Sequence, residues 1–293
     1  MIWIIAGLFY GLFMAFYTSV NQNRKINGYV LGIWRGLGVA FVSMPMMLIT
    51  PFIFDPLYLF LLVVQGFLVG FYDSRLFFSS AKFGAAETSR ILVFSILISM
   101  TLWWSFHPTE FLNIWHRPFV FWGIIVSVLG VILCYLKMLE RAFSKRLIVF
   151  MLPAVVVWSL MSTLAQEIML KHELRDGIAY YLVWSMTVSG FYNLYFYIKT
   201  QRPTKRQAFE EIFSPKVVRV GLLVILFSTV LIISKSISLA YTPNTGYVNA
   251  LSLTSPLWIM LYNHWTNRKD DASPRLGLLM IVFLFFLTFF ACL

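Results

Sequence analysis

Ten apolar runs, each close to the length of a bilayer crossing, constrain this chain more than any other feature. They cover residues 2–20, 28–50, 57–79, 86–105, 119–137, 147–169, 178–198, 217–240, 245–264 and 276–293. A crossing helix needs about 20 apolar residues. A water-soluble fold of 293 residues has no interior large enough to hide ten such segments. The chain is 60% hydrophobic and only 12% charged, which excludes a disordered or soluble protein. The pattern predicts an all-α membrane protein with ten transmembrane helices. The first run lacks a basic leader, and no small-residue cleavage site follows it. It is therefore expected to be the first span and not a signal peptide.

The connections are short except for 105–118 and 199–219, so no separate soluble domain fits between spans. The second of these sets Phe209, Ile212 and Phe213 among basic residues, the composition of an amphipathic helix lying on headgroups. The natural cut falls in 137–146, which gives two five-helix repeats, 1–141 and 142–293. Five is odd, so the halves must enter the membrane from opposite sides, as inverted repeats do. A helical hairpin over 73–104 recurs over 233–264 at a constant offset. Ser74 falls on Ser234, Arg75 on Lys235, Ser95 on Ser255, Leu97 on Leu257 and Met100 on Met260. Glycines four apart, at 28/32/36, 7/11 and 66/70, mark seams where helix backbones approach closely, within one chain or across a homodimer.

Loop charge sets the orientation. Sixteen Lys and Arg lie in the loops after the odd-numbered runs and three (Arg117, Lys171, Arg175) after the even ones. The odd loops should face the cytoplasm and both termini the opposite side. The expected location is the inner cell membrane.

Two five-span halves with the third-to-fourth hairpin repeated as the eighth and ninth resemble the drug/metabolite transporter superfamily, in particular its EamA-like branch. The resemblance covers the whole chain. It is carried by Ala240 closing the eighth run, by Asn249-Ala250-Leu251 and Ser255-Pro256-Leu257 in the ninth, and by Arg35 early in the second. Ile96 stands in the first repeat where Pro256 stands in the second. The resemblance implies a basket of helices around a central cavity, lined by the third, fourth, eighth and ninth spans with the first and sixth, and working by alternating access. It also implies cytoplasmic termini, the reverse of the loop-charge orientation.

Seven ionisable residues lie inside the runs: Arg35, Arg75, Arg90, Lys235, Asp73, Glu87 and Glu167. A charge at membrane depth costs about 2.5–3.5 kcal/mol, so each needs a partner, a wet cavity or an interface. Arg35, Asp73, Arg75, Glu87 and Arg90 fall toward the odd-loop side. Lys235 falls toward the other, near Tyr247 and Asn249, so that a polar cluster stands at each mouth. Glu87 and Arg90, three apart, share a face with Ile91 and Phe94. They form either a structural pair at a helix end or a gate and ligand contact. Asp73 and Arg75, two apart, point to opposite sides. Lys235 has no acid near it in sequence. Gln65, Trp158, Ser162, Gln166, Asn193, Ser228, Asn249, Ser252 and Ser255 either orient a ligand or bond helices together. Trp34, Tyr72, Trp158 and Tyr247 either wall a pocket or fill core and lipid belt. Glu167 belongs with the headgroup-level Lys171 and His172, which leaves four cations against Asp73 and Glu87. That surplus favours an anionic or zwitterionic metabolite, with Arg90 and Lys235 on its acidic group.

No nucleophile elbow, phosphate-binding glycine loop or metal-ligand spacing occurs, so neither an enzyme nor a cofactor is expected. Nucleic-acid binding is not expected either, for want of a basic face on a soluble module. The reading is a secondary transporter of a small organic solute, with proton or ion coupling open and either a monomer or a homodimer. A flippase for a lipid-linked headgroup and a non-transporting scaffold or receptor are the alternatives.

Overall fold

A computed structural model describes residues 1–22, 24–138, 145–265 and 273–293. The cut between residues 141 and 142 lies outside the described residues, as do the loop cations Arg141, Arg268 and Lys269. The described chain is helical from end to end and no strand occurs in it. Helices α1 (Ile2–Ser19), α2 (Gly28–Leu48) and α3 (Pro56–Phe83) follow one another with short turns. Asn27 caps α2 by accepting the Tyr29 N–H, and Asp55 caps α3 by accepting those of Leu57 and Tyr58 ahead of a Pro at the first helical position. At Gly84 the backbone turns left-handed, with φ +94°, and the chain re-enters as α4 (Ala85–Ile91). A 3₁₀ turn over Leu92–Phe94 separates α4 from α5 (Ser95–Phe106). Then come α6 (Pro108–Trp115), α7 (Pro118–Met138), α8 (Lys145–Lys171) and α9 (Leu174–Tyr180). A single π-helical turn, Tyr181–Ser185, runs on into α10 (Met186–Gln201). The chain closes with α11 (Lys205–Ile212), α12 (Pro215–Tyr241), α13 (Thr245–Ser252), α14 (Ser255–Trp265) and α15 (Pro274–Ala291).

Seven of these segments are long and apolar enough to cross a membrane: α1, α2, α3, Glu87–Phe106, α7, α8 and α12. The outer surface agrees. Phe41 is 78% exposed, Phe119 74% and Phe285 65%, apolar area that water would not tolerate and lipid tails would. The protein is a multi-pass, all-α membrane protein.

Helix pairing follows the small residues. The α2–α10 crossing is so close that a Cβ at Gly36 would run into the backbone of Gly190, and one at Gly32 into the Asn193 amide. Gly66 and Gly70 of α3 meet α10 and its π turn in the same way. Gly7 and Gly11 of α1 meet Leu251 and Thr254 around the α13–α14 break. All these glycine seams lie within one chain. The main pairs are α1 with α12, α3 with α8, α2 with α10, α3 with α10, α2 with α12, α5 with α13, and α7 with α15. Two buried clusters result. One is built by α1, α2, α3, α8, α10 and α12. The other is built by α5, α7, α13, α14 and α15 with Trp3.

Of the face expected for Glu87, Arg90, Ile91 and Phe94, the last two part company. Ile91 is 1% exposed and Phe94 41%, because the tighter 3₁₀ turn rotates Phe94 away from the core. Segment 199–219 does contain a helix, α11, begun by a Thr204–Gln207 capping box. It exposes Phe209 and ties back to α2 through the Trp34 indole N–H and the Ile212 carbonyl.

Candidate functional site

The polar interior is arranged in two levels about two helical turns apart. At the first, Arg35 of α2 forms a buried ion pair with Asp73 of α3. Asp73 also accepts the Tyr17 hydroxyl of α1 at 3.0 Å. The Arg35 Nε donates to Ser228 Oγ of α12 at 3.3 Å, and its guanidinium lies 5.2 Å from the Tyr17 ring centre. This acid and base satisfy one another. Removing either partner would strand the other charge, at a cost of about 3–5 kcal/mol.

The second level is built around Lys235. It stands seven residues after Ser228 on α12, hence about 10 Å along the axis. Its ammonium donates to Ser162 Oγ of α8 at 3.0 Å. Ser162 donates to Asn249 Oδ1 of α13 at 3.2 Å, and the Asn249 amide donates to Ser99 Oγ of α5 at 2.6 Å. The other side of the ammonium faces rings, with Trp158 at 4.6 Å and Tyr10 at 5.8 Å. Tyr72 closes on Trp158 with ring centres 4.4 Å apart. Lys235 is 6% exposed, and among the described residues no carboxylate lies within ion-pair distance of it. Cation–π contacts return about 2 kcal/mol or more when desolvated, against an insertion cost of about 2.5–3.5 kcal/mol. A neutral serine hydroxyl does not supply the missing countercharge. The same wall holds three buried polar groups without a hydrogen-bond partner: the hydroxyls of Tyr10 and Tyr72 and the indole N–H of Trp158. Three rings with unused donors thus stand around one buried cation, the chemistry that an anionic oxygen-bearing group requires.

The structure thus brings Tyr72, Trp158, Lys235 and Asn249 together at one level and Arg35 with Asp73 at the other. The other expected site residues stand apart. Gln65 donates to the Met161 carbonyl and the Tyr181 hydroxyl. Asn193 donates to the Ser189 carbonyl of its own helix and, at 3.5 Å, to the Gly70 carbonyl of α3, and it fills the α2–α10 seam. Both bind helices to one another. Tyr247 is buried 6.4 Å from the Trp3 ring and lines an outer cavity of about 600 Å³ with Asn113 and Arg117. Glu87 is half-buried with no ion-pair partner among the described residues. Arg90 lies on α4, but its side chain is outside the described residues, so an Arg90 contact is neither supported nor opposed. Lys235 corrects the expectation of a polar cluster at each mouth. Its ammonium lies beside Tyr10 and Trp158, which stand halfway along α1 and α8, because the long side chain runs inward toward the rings.

Sequence reasoning passed over Tyr10, Tyr17 and Ser99. The first two were legible: they are seven apart on a helix whose neighbouring face is the Gly7/Gly11 seam, so both must face inward. Ser99 had no such signal. Among the described residues no group of three or more His, Cys, Asp or Glu could hold a metal ion. No protein-family model matches the chain, and no curated protein matches it.

Proposed function

We propose that this chain is an alternating-access secondary transporter of a small anionic or zwitterionic organic metabolite, built as ten crossings in two inverted five-helix repeats like the drug/metabolite transporters it resembles. The observation that carries the proposal is Lys235: a buried ammonium with no carboxylate partner among the described residues, set against the rings of Tyr10 and Trp158, whose polar atoms, like that of Tyr72 beside them, have no hydrogen-bond partner. A purely structural interior has no use for an uncompensated cation at mid-depth.

Two features support the repeat. Ten crossings result when α4 with α5, α9 with α10, and α13 with α14 are each taken as one span. Exchanging the first five spans with the last five then maps the most extensive helix pairs onto one another. The pair α1–α12 becomes α8–α3, the pair α3–α10 becomes α12–α2, and α2–α10, α5–α13 and α7–α15 each return to themselves. The constant offset of the hairpins also carries the start of α4 at Ala85 onto the start of α13 at Thr245, and the start of α5 at Ser95 onto that of α14 at Ser255. Both fourth-position spans therefore break at the same place. The polar cluster draws on the first, third, fourth, sixth, eighth and ninth spans, with Arg35 from the second.

The test is ligand-induced thermal stabilisation of purified protein across carboxylates, phosphates, amino acids and quaternary ammonium compounds, followed by uptake into proteoliposomes. An acidic or zwitterionic solute should stabilise the wild type and not Lys235→Gln. Tight binding of a quaternary ammonium compound that survives Lys235→Gln and disappears in Asp73→Asn would overturn the reading.

A further inference from the structure

A second basic feature lies away from Lys235, where α1 and α3 end and α2 begins. It is an open groove of about 560 Å³ whose walls include Lys25, Arg75 and Lys82. Among the described residues no Asp or Glu lines it. Arg75 sits with its guanidinium 4.6 Å from the Phe150 ring centre and 5.3 Å from that of Phe71, and it has no ion pair among the described residues. Rings on its faces leave the N–H edges as the free donors, the geometry that grips a phosphate oxygen pair.

The groove is preformed. Asn21 is fully buried and ties the loop down, donating to the carbonyls of Ile26 and Phe77 and accepting the Ile26 N–H, so the loop that carries Lys25 is fixed to α3. Lys25 itself holds a left-handed backbone, φ +50°, where a glycine or asparagine would be at ease. Three like charges, with no acid beside them among the described residues, repel one another unless an anion joins them.

The depth of the groove and its remaining walls name the anion's source. Helix α3 has 28 residues and is about 42 Å long, against a hydrocarbon core of about 30 Å. Centred on that core, α3 projects about 6 Å beyond it at each end, which puts Lys82 at headgroup level and Arg75 two turns inside. Phe78 and Phe150 supply an apolar wall next to the cations. A soluble phosphate needs no such wall; an acyl chain does.

We propose that this groove binds the phosphate of an anionic phospholipid, with Arg75 and Lys82 on the phosphate oxygens and the acyl chain against Phe78 and Phe150. The site is separate from the Lys235 cluster and stands whether or not that cluster binds a metabolite.

The test uses full-length protein in a neutral maltoside detergent, with melting temperature followed against dioctanoyl phosphatidylglycerol, dioctanoyl phosphatidylcholine and inorganic phosphate. Phosphatidylglycerol should raise the melting temperature saturably, and the other two should not at equal concentration. Arg75→Gln and Lys82→Gln should each raise the half-saturating lipid concentration about fivefold, as loss of one interfacial cation predicts. Lys205→Gln on the exposed α11 should leave it unchanged, and so should Lys235→Gln. Should Arg75→Gln fail to fold, Lys82→Gln, exposed near the helix end, decides alone. Equal stabilisation by phosphatidylcholine would overturn the proposal. So would an equal effect of inorganic phosphate, or a loss in Lys205→Gln matching that in Lys82→Gln, which would mean diffuse surface charge.

Discussion

At the scale of the residue, the two buried cations should answer mutation in opposite ways. Arg35 is compensated, so Arg35→Gln strands Asp73 and should destabilise the protein by about 3–5 kcal/mol, while Arg35→Gln with Asp73→Asn should recover most of that loss. Thermal denaturation of the two singles and the double checks this; additive losses would mean that the pair is not the main partner of either charge. Lys235 is uncompensated, so Lys235→Met removes an insertion cost of about 2.5–3.5 kcal/mol along with the cation–π contacts. The expected outcome is unchanged or raised thermal stability together with lost ligand stabilisation. A residue kept only for the fold would show the reverse. The special position of Lys235 was legible because no acid stands near it in sequence. The Arg35–Asp73 pair was not, since its members are far apart in the chain and only the α2–α3 packing brings them together. The counting of four cations against two acids changes as well. Arg35 cancels Asp73 and Arg75 faces the mouth groove, so the surplus at the buried cluster rests on Lys235.

At the scale of the element, glycine decides where helices meet. Gly36→Leu would drive four carbons into the Gly190 backbone, which cannot rotate aside as a side chain can. It should abolish folded protein or lower the melting temperature by about ten degrees. Phe41→Ala, five residues on and 78% exposed, should change it little. Similar melting temperatures for the two variants would refute a tight α2–α10 seam. These seams were readable from the four-residue glycine spacing alone. The breaks inside the hairpins were only half readable. The offset aligning Ser95 with Ser255 was visible in the sequence, but that both serines start a new helix was not. No proline or glycine signals the first break, where Ile96 follows Ser95. The Leu92–Phe94 turn arises from packing and not from local propensity.

At the scale of the whole molecule, the loop charges predict that both ends of the chain face away from the cytoplasm. A reporter that fluoresces only in the cytoplasm, fused after Leu293, should stay dark, and bright cells would reverse the orientation. Apolar run lengths were enough to anticipate a multi-pass helical protein, since hydropathy reports on the solvent and needs no tertiary detail. Which polar side chains meet was beyond run lengths, because the meeting depends on helix rotation. Arg35 shows what such a meeting means mechanically. Its tie to Asp73 joins α2 to α3, both before residue 139, and is ionic; its tie to Ser228 reaches α12, after residue 144, and is a single bond to a neutral oxygen. Such a bond between membrane helices is worth about 0.6 kcal/mol on average. The joint is welded on one side and latched on the other. If the two parts of the chain rock against each other, α2 and α3 travel together and the latch to α12 is what opens. Ser228→Ala should then leave thermal stability nearly intact and widen the distance distribution between spin labels on α2 and α12; an unchanged distribution would mean that the latch carries no load.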